Sequence, residues 1–296
     1  HRIEKDINRT DRQLPIFASK KHSTTTNNET EETARKESSP ETPDEDDDFD
    51  VANIRNPHLF KMREILLTYN EYNENLGYVQ GMTDLLSPLY VRYQDESLTF
   101  AAFSKFMDRM ERNFVRDQSG MKTQMSTLNK LLQFMLPNLY KHLEKCESID
   151  LFFFFRMLLV WFKRELEWNQ VGNLWEVLWT DYYSSQFHLF FALAILSDNE
   201  RIIIQNLRRF DEVLKYMNDL LMRLHPNDLL VRSELLFLKF RRMIDIIDRE
   251  NSLKKLNNVY DENVDLIEVS SELRLLLSKD IIIQKEVERP EGAGGG

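Results

Sequence analysis

The chain has 296 residues, 42% of them apolar, enough to build a core in one large domain or two small ones. Its net charge is −10, and residues 18–55 alone carry 11 acidic against 5 basic side chains, which excludes the clustered Lys and Arg that general nucleic-acid binding needs. The single cysteine, Cys146, excludes an internal disulfide and suits a reducing compartment, and eight glycines and eight prolines are too few for a turn-rich fold.

Residues 1–17 form a first ordered segment ending near Pro15-Ile16-Phe17. It lacks the continuous apolar run of a signal peptide. It opens almost directly on Ile3-x-x-Asp6-x-x-Arg9-Thr10, as a piece cut from a longer protein would. Residues 18–55 are rich in Ser, Thr, Pro and acidic side chains. With so little apolar surface to offset its ordering entropy, this stretch is expected to be a disordered acidic insert. Asp44, Asp46 and Asp48 imitate the start of a calcium loop, but Phe49 and Arg55 stand where Gly and Glu are required, so that idea fails.

Order resumes at Asn56-Pro57, a helix cap followed by a proline suited to the first turn. Leu59, Met62, Ile65, Leu66 and Tyr69 then share one helical face. Gly77-Tyr78-Val79-Gln80-Gly81 reads as a loop entering an amphipathic helix. Further helical stripes follow through Tyr93, Phe114 and Met135, the last stopped by Pro137. Leu151–Phe162 is intensely apolar, but it is shorter than the roughly 20 residues of a membrane span and contains Arg156, so a buried central helix is expected. Helical patterns continue over Leu174–Leu178, His188–Leu196, Phe210–Leu221 (stopped at Pro226) and Leu229–Ile247. Asp280–Gln284 is ambiguous between helix and strand. The fold class is all-α: a body over 56–250 and a C-terminal extension, 251–296, ending in a flexible Gly-rich tail.

The usual catalytic constellations are missing from the sequence. The six histidines show no metal-ligand spacing among themselves or with Cys146, which reads as a bland thiol at a helix end rather than a nucleophile. No phosphate-binding loop or nucleophile elbow occurs. Glu165 and Glu167, beside Lys163 and Arg164, read as a solvated helix end. Arg9 and Gln80 remain. Neither is a nucleophile, but a fixed cation and an amide that both donates and accepts suit charge stabilisation and the orienting of a water. Asp6, three residues before Arg9, is close enough to hold its backbone or guanidinium in place. Each has a plain alternative: Arg9 as a solvated surface charge, and Gln80 as a side chain capping a backbone group with Tyr78 packed beside it.

Taken together, these motifs resemble the TBC domain, a helical GTPase-activating module that acts on Rab-family small GTPases. The match includes Ile3-x-x-Asp6-x-x-Arg9-Thr10, Asn56-Pro57-x-Leu59, Gly77-Tyr78-x-Gln80-Gly81-Met82, Phe100–Met110, the expected Trp161 helix, Leu174-Trp175-Glu176 and Phe190–Leu196. Trp161–Leu166 and Tyr182–His188 look most like the fungal branch acting on the vacuolar and late-endosomal Rab. The resemblance implies a multi-helical TBC-type fold whose helices preceding the arginine motif are truncated. It implies an arginine finger, Arg9, and a glutamine finger, Gln80, supported by Asp6 and Tyr78. The chain would then be not an enzyme by itself but an activator supplying catalytic residues in trans. Its partner would be a GTP-bound Rab of vacuolar or late-endosomal type. It would bind no cofactor of its own, since GTP and Mg²⁺ arrive on the partner. It would be cytoplasmic, peripheral to endosomal or vacuolar membranes, and would switch off membrane trafficking. The alternative is a catalytically silent helical Rab-binding scaffold.

Overall fold

The computed structural model describes residues 2–18, 56–220, 223–257 and 265–287. Apart from Ala18, the expected acidic insert lies outside the described residues, as does the Gly-rich tail. The described elements are helical, and no strand occurs among the described residues.

Helix α1 (Arg2–Arg9) packs on α2 (Pro57–Tyr72), burying Ile3 and Ile7, and Glu4 pairs with Arg63 at 3.2 Å. Asn56 starts α2 as expected: its Oδ1 accepts the His58 and Leu59 amides at 2.8 and 3.4 Å. Its Nδ2 meanwhile donates to the Ile16 carbonyl at 2.9 Å. One side chain thus caps a helix and ties the arginine segment to it across forty positions. Phe17, fully buried, stacks on Tyr90 and completes that anchor.

Helices α3 (Met82–Tyr93) and α4 (Glu96–Met110) pack against each other and against α2. The stripe expected on α3 understates its burial: Met82 through Ser87 are all buried, including Thr83, Asp84 and Ser87. Helices α5 (Ser119–Met135) and α6 (Pro137–Lys145) follow, then α7 (Phe155–Leu159) and α8 (Trp168–Trp179). At the centre lies α9 (Phe187–Asn206), buried without a break from Phe187 to Leu196. A helix apolar on every face has no solvent side, so it must be surrounded, here by α5, α6 and α11. Helix α10 (Phe210–Asp219) precedes α11 (Pro226–Asn257), and α12 (Ser271–Leu275) lies on α5. Pro226, expected as a stop, is instead the first residue of α11, a position where its missing N–H costs nothing. Asp280–Gln284 adopts neither helix nor strand.

The expected central helix over Leu151–Phe162 is corrected by the structure. Phe152–Phe154 make a single 3-10 turn, α7 lasts five residues, and the chain then reverses with Trp161 and Phe162 at φ +48° and +60°. The Phe162 amide donates back to the Met157 carbonyl at 2.7 Å, the six-to-one closure of a left-handed helix ending that is usually built on glycine. Two aromatic residues tolerate that conformation because both are buried and the Trp161 carbonyl accepts the Trp175 indole N–H at 2.9 Å. An apolar run cannot reveal this, since periodicity does not separate a buried helix from a buried turn.

Candidate functional site

The turn after α7 forms one wall of a cleft of about 380 Å³. Helix α1 and its following turn contribute Asp6, Arg9 and Asp11; the entry to α3 contributes Gln80 and Asp84; the turn contributes Lys163 and Arg164. Trp168 at the start of α8 closes one side, its ring 5.7 Å from the Lys163 ammonium. Arg9 and Gln80, 71 positions apart in the chain, therefore face the same space.

Local geometry delivers Gln80 there. Gly77 sits at φ +68° and Gly81 at φ +103°, so both ends of the Tyr78-Val79-Gln80 loop take left-handed backbone that glycine accommodates. A Cβ on Gly77 would come within 3.0 Å of Asn70 Oδ1, the atom that accepts the Tyr78 amide at 2.9 Å. Gly81 itself is the N-cap of α3, which removes the plain alternative for Gln80: its exposed amide caps nothing and makes no protein hydrogen bond among the described residues.

Asp6 is near Arg9 in sequence, but its carboxylate does not hold the guanidinium. It accepts the Tyr78 hydroxyl, while its carbonyl accepts the Thr10 hydroxyl at 2.7 Å. Burial first, and the Asp6 carboxylate second, push the Tyr78 phenol well above its ordinary range, so it stays a donor. Asp11, buried at φ +50°, accepts Ser87 Oγ and the Lys163 ammonium. Asp84 accepts Arg164 twice, at 2.6 and 3.1 Å, and lies 3.6 Å from Lys163. The Asp84 hydrogen bond raises the Arg164 pKa further, fixing its charge. All three cleft carboxylates are thus committed to other donors. Arg9 is exposed and has no carboxylate or hydrogen-bond partner among the described residues. What the cleft offers a ligand is one free guanidinium, one free carboxamide and a rigid, charge-compensated floor.

Of the residues the sequence singles out, Asp6, Arg9 and Gln80 line the cleft and Tyr78 stands behind it, bonded to Asp6; the floor is not among them. The sequence does not single out Asp11, Asp84, Lys163 or Arg164, and in it Glu165 reads as part of a solvated helix end. It is instead fully buried, 3.3 Å from Arg156, and burial pushes its carboxyl above the usual range. The available signal was a charged triplet closing a run of buried aromatics, which solvation alone does not explain.

The Rab-GTPase-TBC domain matches residues 19–204. The chain belongs to that family. The GTPase-activating protein GYP7 of Debaryomyces hansenii is 75% identical to it over 302 residues, covering 100% of this chain and 40% of that protein. GTPase-activating protein GYP7 of Yarrowia lipolytica is 54% identical over 305 residues, covering 100% and 38%. The chain thus spans about two fifths of the length of these fungal relatives. The crystal structure of the Ypt/Rab-GAP domain of Gyp1p shares the fold, with a TM-score of 0.54 and 20% identity over 61% of this chain and 65% of that one. The TBC match includes the Gln80 loop and the turn after α7 but begins beyond Arg9, so the placing of Arg9 rests on the cleft itself.

Proposed function

We propose that this TBC domain accelerates GTP hydrolysis on a Rab-family GTPase by inserting Arg9 and Gln80 into the partner's nucleotide site. The observation that carries the reading is the pairing of an unengaged guanidinium with an unengaged carboxamide on one cleft whose carboxylates are already bonded. Phosphoryl transfer spreads negative charge over the γ-phosphoryl and leaving-group oxygens and needs a water held in line. A guanidinium stabilises the first without being consumed. A carboxamide can accept a proton-side contact from the water while donating to a phosphoryl oxygen, which orients attack. The chain's own chemistry ends there; nucleotide and Mg²⁺ come with the partner, so hydrolysis is conditional on complex formation. A vacuolar or late-endosomal Rab is the preferred partner on the segments Trp161–Leu166 and Tyr182–His188, with action from the cytoplasmic face of that membrane. No helix among the described residues is long and apolar enough to cross a membrane.

The test is single-turnover GTP hydrolysis across a panel of purified Rab proteins. Wild type is expected to accelerate at least one of them, and Arg9→Ala to lose about 10³-fold or more of that acceleration while still binding the GTP-loaded partner. Gln80→Ala is expected to lose most of it with the same retention of binding. Binding without acceleration by wild type would replace this reading with the scaffold one.

A further inference from the structure

Beyond α12 a strap, residues 276–287, starts in a turn and runs on without helix or strand, its tip bonded to Glu111 and Arg116, which also hold the turn before the Gln80 loop. Leu273 and Leu276 anchor its root, and the Ser278 carbonyl accepts the Ser185 amide at 3.0 Å. At the tip, Lys285 donates to Glu111 Oε2 at 2.9 Å and the Glu286 amide donates to Glu111 Oε1 at 2.9 Å. Glu111 is buried, with 1% of its surface exposed, in the 3-10 turn after α4. A carboxylate in that position needs compensation, and the strap supplies its ammonium.

Glu111 is also where the Gln80 loop is fastened. Its Oε2 accepts Asn73 Nδ2 at 3.1 Å, and Asn73 in turn accepts the Leu76 amide at 3.3 Å through its side chain and the Gly77 amide at 2.7 Å through its carbonyl. A second line runs beside the first. Glu286 accepts the Arg116 amide at 2.8 Å, and the Arg116 guanidinium donates to the Asn75 carbonyl at 2.7 Å. Both lines end on the turn 73–77 from which Tyr78 and Gln80 project.

We propose that the strap tip, Lys285-Glu286, is a positioning element for Gln80, acting through Glu111–Asn73 and Arg116–Asn75. The strap lies wholly outside the segment matched by the TBC domain, so this is a property of the chain rather than of that matched segment. The inference rests on the proposed role of Gln80. An amide that must orient a water in line loses rate steeply for displacements near 1 Å, whereas docking of a partner over a broad surface does not. Loosening the tip is therefore expected to lower the hydrolysis rate at saturation and leave the half-saturating concentration almost unchanged.

The experiment compares Lys285→Met, Lys285→Arg and Arg274→Met in the full chain, by single-turnover hydrolysis on the most responsive Rab and by hydrogen exchange of residues 73–81. Lys285→Met is expected to cut the saturating rate about tenfold, with half-saturation within twofold, and to speed exchange in 73–81. Lys285→Arg, which keeps the charge on Glu111, should restore most of both. Arg274→Met breaks an exposed pair with Asp248 at the strap root and should change neither. In a Gln80→Ala background, Lys285→Met should cost nothing further, because its effect passes through Gln80. An unchanged rate in Lys285→Met, or a loss that adds in full to that of Gln80→Ala, overturns the proposal. Faster exchange in 73–81 by Lys285→Met, in a wild-type background that accelerates no Rab, would overturn the activator reading yet support the coupling of strap and loop.

Discussion

The role proposed for Arg9 requires that nothing in its own protein neutralise it, and Asp6 is the nearest threat. The two are one helical turn apart, an easy reach for a carboxylate and a guanidinium. Tyr78 prevents the pairing by occupying Asp6 with a hydroxyl that burial keeps protonated. Tyr78→Phe should therefore release Asp6 to capture Arg9 and lower the hydrolysis rate on the Rab about tenfold, an order-of-magnitude figure for a charge-assisted bond that must be broken first. Adding Asp6→Asn to Tyr78→Phe removes the competing charge and should return part of that loss. Rates for the two single variants and the double decide the point; a double variant worse than both singles would show that Asp6 supports Arg9 directly. Arg9→Lys is the companion test. It keeps a positive charge but loses the planar fork, and should recover little of what Arg9→Ala loses.

Among the elements, the turn after α7 and the start of α5 each hold a contact that one substitution would break. Lys163 and Asp11 form a pair with side chains only 6% and 5% exposed, so removing one partner strands the other. Asp11→Ala should cost about 3 kcal/mol in urea unfolding, the lower end for a broken buried pair because Asp84 stays 3.6 Å from Lys163. Asp11→Ala combined with Lys163→Met should be more stable than Asp11→Ala alone. Two glycines give a sharper contrast. A Cβ on Gly120 would sit 1.9 Å from the Arg112 carbonyl oxygen, backbone that cannot swing aside, so Gly120→Ala should shift α5 off the preceding turn and destabilise by several kcal/mol, on the order of overpacking at its worst. A Cβ on Gly172, inside α8, would meet nothing within 4 Å, and Gly172→Ala should stabilise by about 0.5–1 kcal/mol. Thermal melts of the two variants should move in opposite directions. What was legible in the sequence follows the same division. The Asn56-Pro57 start, the glycine-flanked Gln80 loop and the all-round apolar α9 are written in neighbouring residues, through a cap, positive φ and the absence of any polar face. The reversal at Trp161-Phe162 and the Asp11–Lys163 pair, 152 positions apart, arise only when distant surfaces close and burial overrides local preference.

At the scale of the whole molecule, the buried polar groups tie the site's walls to the core and should set how the fold responds to acid. His188, at the start of the central helix, is buried and shares its Nε2 hydrogen with Gln124 Oε1 at 2.8 Å; Gln124 donates to Asn113 at 2.7 Å, and Asn113 donates to the Leu158 and Leu159 carbonyls that lead into the reversal after α7. Burial first, then the charges of Arg112 and Arg109, drive the His188 pKa well below its ordinary value. In the fold it stays neutral, whereas in the unfolded chain it takes up a proton near pH 6.5. The unfolded state then binds more protons below that point, so His188 draws stability down as pH falls through and below about 6.5 and has no effect above it. The slope approaches about 1.4 kcal/mol per pH unit for one proton. Glu165 runs the other way: its raised carboxyl pKa, also caused mainly by burial, makes stability fall as pH rises from the ordinary carboxylate value toward the raised one. Because one window opens downward from about 6.5 and the other upward from the ordinary carboxylate value, the melting curve of wild type alone would blur them. The difference between wild type and His188→Gln, which keeps an amide donor for Gln124 but cannot titrate, should isolate the histidine. That difference is expected to be constant from pH 8 to about 7 and to change steadily in favour of the variant below about 6.5. A difference that stays flat down to pH 5 would mean that His188 is protonated in the fold, with its charge accommodated beside two arginines.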